Sequence, residues 1–331
     1  LPDRALRDRL AKGRLVEEGE IEGEVRRMMA DPRARNKMRG FFRHWLAMDE
    51  REDLGKDPEL YPEFDQRTVA DLRESLERFV ERVLWSESSD YRQLLLADYL
   101  LLNRRLGDFY RVPVEVDGFV EVKPPAGRRA GILTHPYLLS ANAYHDSTSP
   151  IHRGVFLSRN VMGRLLKPPP EAVAFKNDEF DPSLTMREKV TELTREDSCM
   201  QCHRVINPVG FSLEGFDAVG RFRTEDNRKP VNTVSDYVNE RDESVRVESA
   251  TDLAELAVSS EAAQRAFITH LFHHLVKQPM AAYGEGTLER VRAEFVDSGY
   301  HMQSLIVEIA KLVARHQLTE REVAGKESDQ N

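Results

Sequence analysis

The only two cysteines of the chain, Cys199 and Cys202, lie in the run SCMQCHR at residues 198–204, and His203 directly follows the second. Cys-x-x-Cys-His is the attachment signature of c-type haem. Two sulfurs three residues apart on a helical turn face one edge of a porphyrin, where each can add to a vinyl group. The next residue then carries its imidazole beneath the ring to bind the iron. Thioether linkages leave no free thiol, which suits a chain without a third cysteine. Two other chemistries share the spacing. Zinc would use Cys199 and Cys202 as half a site, with His270 and His273 of HLFHH as the second pair. Those histidines are remote in sequence on what reads as a core helix, and zinc gives no reason for His203. A redox dithiol wants a strand before it and a helix after it, whereas the preceding REKVTELTRED reads as charged helix. One covalent haem c, ligated by His203, is the leading expectation.

The other face of the iron decides between electron transfer and chemistry. Methionine or histidine there closes the metal and gives an electron carrier, while an open position admits peroxide or small gases. Met280, in the proline-containing run KQPMAAYG, is the first distal candidate, although methionine is also the usual gap-filler of cores. His135, His145 and His152 are alternatives, each equally readable as an ordinary core or surface residue. His270, His273 and His274 read as a polar patch on a packed helix, and His44 beside Trp45 reads as structural. Haem propionates need cationic or hydrogen-bonding partners. Arg153, Arg221 and Arg223 are the candidates, and each is able instead to pair with a nearby acid. Phe211 and Phe216 are expected to pack on or near the ring, and Pro208 to shape the loop after His203. The sequence contains no glycine-rich phosphate loop, no G-x-S-x-G elbow and no H-E-x-x-H helix. This favours an electron carrier or redox subunit over a stand-alone enzyme.

The elements that must position these residues read as mainly α. Short amphipathic helices open the chain. Asp31-Pro32 supplies an N-cap and a first-turn proline for RARNKMRGFFRHWLAM. Val69, Leu72, Leu76, Phe79, Val80, Val83 and Leu84 make one helical stripe, and Glu74 stands one turn before Arg78. YRQLLLADYLLLNRRLGDFY reads as a helical pair. Val114 and Val116, then Asp117-Gly118, then Val120 and Val122 predict a β-hairpin. A Pro/Gly/Arg stretch follows as a linker. The middle segment has helices around HPYLLSANAY, PIHRGVFLSRNVMGRLL and TMREKVTELT, with a polyproline break at Pro168-Pro169-Pro170. After a partly extended stretch come three helices, TDLAELAVS, AAQRAFITHLFHHLVKQ and HMQSLIVEIAKLVARH, and a tail expected to fray. The expected division is 1–128, an N-terminal helical domain ending in a hairpin, then 129–230 for haem and 231–331 for a C-terminal helical domain.

The 331 residues suffice for a sizeable core, and a net charge of −9 with a pI near 5.7 disfavours a nucleic-acid surface. No apolar run is long enough to span a bilayer. The chain opens LPDRALRDRL without methionine, which reads as a fragment or a processed product.

Downstream of His203 the run RVINPVGFSLEGFDAVGRFRT resembles a family of large multidomain cytochrome-like proteins abundant in planctomycete-type bacteria. These carry three consecutive domains of unknown function, the middle one with a haem-attachment motif. Pro208, Gly210, Phe211, Leu213, Glu214, Phe216, Asp217, Gly220, Arg221 and Arg223 fit its pattern. Asn207 stands where that family usually has aspartate, and Gly215 where it usually has asparagine. GILTHPYLLS, TSPIHRGVF and PPP resemble the opening of the same domain, while LPDRALRDRLAKGRL, DPRARN, HWL and ADYLLLNRRLGDFY resemble the first of the three. HLFHHLVKQPMAAYG loosely resembles the third. The resemblance implies an extracytoplasmic, periplasmic-type haem protein working with redox partner proteins or with other domains of a larger parent, and it implies no substrate.

Overall fold

The computed structural model describes residues 3–51, 53–167 and 175–328, with side chains described through 316. Among these residues there are fourteen α-helices and three two-stranded antiparallel sheets, so the mainly α expectation holds. The Pro168-Pro169-Pro170 break lies outside the described residues. The chain forms two compact units, each built from non-consecutive stretches: Leu1–Arg43, Leu84–Tyr91 and Ile268–Asn331 in one, His44–Val83 and Arg92–Phe267 in the other. These units do not follow the consecutive segments 1–128, 129–230 and 231–331.

In the second unit the helix Gln66–Leu84 buries the expected stripe of Val69, Leu72, Leu76, Phe79, Val80 and Val83. Asp65 caps it by accepting from the Thr68 amide, and Glu74 pairs with Arg78 at 2.7 Å on the wet side. Burial of this face against apolar neighbours, rather than helix propensity, holds such an element in place. Ser75, on the same helix, meets His135 Nε2 at 3.2 Å and donates to the Leu101 carbonyl. His135 Nδ1 accepts the Tyr137 amide and caps the helix Pro136–Ala141. Both ring nitrogens of His135 are therefore committed, which makes it a core residue rather than an iron ligand.

Burial, with the Arg129 charge adding to it, lowers the pKa of His135 from 6.5 to about 3. A histidine kept neutral in the native state but free to protonate when unfolded contributes stability above the unfolded pKa. That stability is lost as pH falls towards the folded value. Unfolding free energy should therefore drop between pH 6.5 and about 3, with His135 contributing a slope of up to about 1.4 kcal/mol per pH unit. Comparing wild type with His135→Gln by denaturant titration checks this, and equal slopes for the two would contradict it.

The strands correct two expectations. Val120–Val122 pairs with Leu100–Leu102, not with Val114 and Val116. Leu100–Leu102, expected within a helical pair, is a strand between the short helices Arg92–Leu96 and Arg104–Tyr110. Pro113 has no amide to give a ladder. The chain around it instead closes a turn, with the Val112 amide on the Gly107 carbonyl. A three-leucine run buried on both sides then offers the better edge to Val120–Val122. The stretch read as partly extended forms a true hairpin, Ser235–Val238 with Ser244–Val247.

The helices Pro150–Asn160 and Asp197–Phe211 pack closely against each other. Two glycines allow it. A Cβ on Gly154 would stand 2.3 Å from the Ile206 carbonyl oxygen, and one on Gly210 would stand 2.0 Å from that of Pro150. Backbone thus meets backbone on both sides of the contact, and the helix carrying the cysteines is seated by that approach.

In the first unit, Phe41 and Phe42 are buried, as are Leu271, Phe272, Phe295, Leu305 and Ile309. His274 sets its ring edge to Phe41 at 5.6 Å and its Nε2 is 3.0 Å from the Lys37 carbonyl, as a packed-helix histidine would. The three C-terminal helices expected are joined by a fourth, Thr287–Asp297, and the last one, Met302–Ser328, runs on through most of the segment expected to fray. No helix among the described residues is long and apolar enough to cross a membrane.

Candidate functional site

The site begins with the helix Met186–Leu193. Thr185 accepts from the Glu188 amide, while the Glu188 carboxylate accepts from the Thr185 amide, a reciprocal cap. The helix ends at Thr194, whose Oγ1 donates to the Val190 carbonyl at 2.8 Å. Three residues later the helix Asp197–Phe211 starts and carries Cys199, Cys202 and His203 on its first turns. Both cysteines are free and half-buried, and His203 is half-buried with them. Spaced three apart on a helix, the two thiols share a face, and His203 lies one turn after Cys199.

His203 Nδ1 is 2.8 Å from Asn207 Oδ1, and Asn207 Nδ2 donates to Thr194 Oγ1 at 2.9 Å. Asn207 and Thr194 are both buried. With Nδ1 engaged below, Nε2 is the nitrogen left for a ligand or a metal.

Pro208 sits inside this helix and not in a loop after His203, which corrects the expected loop. It removes one amide, so the Arg204 carbonyl loses its usual helical donor. Close seating on the neighbouring helix through Gly154 and Gly210 keeps the helix continuous to Phe211. Phe211 is buried in a cluster with Met186 and Val190, onto which Ile151 and Phe175 pack, and the Arg187 guanidinium lies 4.4 Å over its ring. Phe216 is buried too, edge-on to Phe222 at 5.7 Å and beneath Arg129 at 4.9 Å.

The three arginines have partners. Arg153 is 1% exposed and donates to the carbonyls of Leu139, Leu213, Phe216 and Asp217, the last at 2.6 Å. Its guanidinium also stands 3.6 Å from Glu214. Arg223 donates to Glu214 Oε2 at 2.8 Å and to Asp226 at 2.7 Å, and Asp226 in turn accepts the Met186 amide. Thr148 adds a third contact to Glu214 at 2.9 Å. Burial pushes the Glu214 carboxyl up and the Arg153 guanidinium down to about 10, with their mutual attraction acting against both shifts. Arg221 is the more accessible arginine, paired with Glu63 at 3.3 Å and lying 4.0 Å over the Phe109 ring. Much of the run that follows His203 is therefore a clamp around buried Glu214.

The structure brings Cys199, Cys202 and His203 onto one helix, and gathers Arg153, Arg223 and Phe216 around Glu214. Met280 is buried in the short turn Met280–Tyr283 of the other unit. His145 and His273 are exposed. Among the described residues, no group of three or more His, Cys, Asp or Glu side chains is arranged to hold a metal ion, so the two cysteines lack the second pair that a zinc site needs. Two open clefts lie in the unit: one of about 490 Å³ runs beside the cap and the clamp, lined by Thr185, Arg187, Glu192, Arg195, Glu214 and Asp226, and one of about 450 Å³ is lined by Asp49, Arg51, Lys56 and His145. The residues that sequence reasoning missed are Asn207 as a partner of His203, and Thr194. Their only signal is the four-residue step from His203 to Asn207, which places both on one helix face.

The site fits a covalently held haem in its donor set: two free sulfurs one turn apart and an imidazole with its far nitrogen available. Two family models match consecutive stretches of the chain. Residues 1–112 match PSD4, described as a protein of unknown function (DUF1592), and residues 129–226 match PSCyt3, described as a protein of unknown function (DUF1588). Cys199, Cys202 and His203 lie within the second match. No curated protein matches the chain, and no solved structure matches it.

Proposed function

We propose that this chain is a c-type haem protein that passes single electrons in an extracytoplasmic redox system, as the planctomycete-type cytochrome-like proteins it resembles would. The observation that carries the reading is the pair of half-buried free thiols one turn apart, followed on the same helix by an imidazole whose Nδ1 is engaged with Asn207. Cys199 and Cys202 would hold the group by thioether bonds, and His203 Nε2 would ligate it from the proximal side. When bound, a haem iron alternates between ferric and ferrous states, taking up and releasing one electron. The chain's own residues do the rest. The close approach at Gly154 and Gly210 and the clamp at Glu214 hold the helix that carries the cysteines against its neighbours. Asn207 orients the imidazole. The half-open face at Cys199 and Cys202 leaves an edge reachable by a partner protein or by another domain of a larger parent.

The test is the visible spectrum of protein co-expressed with the c-type maturation machinery. Reduced and oxidised forms should differ as a covalent haem c does, and should interconvert reversibly by one electron. A colourless protein would contradict the proposal.

A further inference from the structure

We propose that Asn207, oriented by Thr194, is a positioning residue that holds His203 in the Nδ1–H tautomer and serves it as a neutral hydrogen-bond acceptor. This rests on the reading of His203 as an iron ligand, but the tautomer follows from the polypeptide alone.

Thr194 Oγ1 lies 2.8 Å from the Val190 carbonyl, which can only accept, so the hydroxyl proton is committed there. Towards Asn207 the same oxygen can then only accept, and it does so from Nδ2 at 2.9 Å. That decides which way the amide faces: Oδ1 is turned to His203 Nδ1 at 2.8 Å. A carbonyl oxygen cannot donate, so Nδ1 must carry the hydrogen. A neutral imidazole with its proton on Nδ1 has its lone pair on Nε2, the nitrogen pointing away from the helix partner. Thr194 and Asn207 are 3% and 6% exposed, so water competes little with either bond. The three groups also tie the end of one helix to the first turns of the next, since Thr194 closes Met186–Leu193.

The chemical type of the acceptor has a consequence. A carboxylate at this place would draw the Nδ1 proton towards itself and make the ring a stronger donor to iron, stabilising the ferric state. An amide pulls far less. Asn207 therefore sets the iron's potential above that of an otherwise equal site with aspartate.

Two measurements test this. The first uses the full chain without haem, carrying Cys199→Ser and Cys202→Ser, and reads the His203 ring nitrogens by NMR at mildly alkaline pH. A predominant Nδ1–H tautomer is expected, with that preference lost in Asn207→Leu and weakened in Thr194→Val. The second uses the haem-loaded protein and compares midpoint potentials. Asn207→Asp should shift the potential to more negative values, with ligation by His203 spectroscopically retained. A purely structural role would lower the melting temperature of these variants yet leave tautomer and potential unmoved. That result, or a predominant Nε2–H tautomer in the parent chain, would overturn the proposal. If no haem attaches at all, the haem reading fails while the tautomer measurement still decides the role of Asn207.

Discussion

Arg153→Ala is expected to destabilise the unit formed by His44–Val83 and Arg92–Phe267 by about 3–5 kcal/mol, the usual result of breaking a buried ion pair from one side. The side chain is 1% exposed and its donors reach four carbonyls from two separate stretches, so truncation strands those acceptors as well as part of the Glu214 charge. Against a typical total stability of about 5–15 kcal/mol, this is enough to populate unfolded chains at ordinary temperature. Arg153→Lys should recover little, because one ammonium cannot match a planar fork aimed at several carbonyls. Removing the acid together with the arginine, as in Arg153→Met with Glu214→Leu, should cost less than the two single changes added, since no lone buried charge is left. Denaturant unfolding followed by circular dichroism measures all of these. A loss under about 1 kcal/mol for Arg153→Ala would show that the clamp does not hold the unit together.

Replacing both cysteines has the opposite profile. Cys199→Ala with Cys202→Ala should leave unfolding of the metal-free chain within about 0.5 kcal/mol of the parent, because both thiols are only half-buried and have no disulfide partner. Covalent haem retention should fall from complete to nil. Each single variant should keep one thioether, and the haem should survive acid-acetone extraction in the singles but not in the double. Haem stain on a denaturing gel, read beside total protein, separates these cases. Full retention in the double variant would mean that the group is held elsewhere.

The grouping of Cys199, Cys202 and His203 was legible from spacing alone, because residues so close in sequence fall within a turn and a half of one helix. The stripe on Gln66–Leu84 was legible from spacing too: periodic apolar residues leave little choice of face. What stayed hidden depends on long-range partners or on context. Arg153 read as a surface or propionate arginine, since the carbonyls it grips lie some sixty residues away in sequence, apart from that of Leu139. Pro208 read as a loop former because proline usually ends a helix, and only the close approach at Gly154 and Gly210 reveals why the helix continues. With that helix taken to break, Asn207 and His203 could not be seen as stacked partners. Leu100–Leu102 read as helix because a short apolar run has no period of its own, and its true partner, Val120–Val122, has nearer alternating valines, Val114 and Val116, with which to form a hairpin.

Intact mass under denaturing conditions, after co-expression with the c-type maturation machinery, tests the central claim most directly. A single species heavier than the polypeptide by one haem is expected, with neither Cys199 nor Cys202 open to alkylation. A mass equal to the bare chain, with both thiols alkylated, would contradict it.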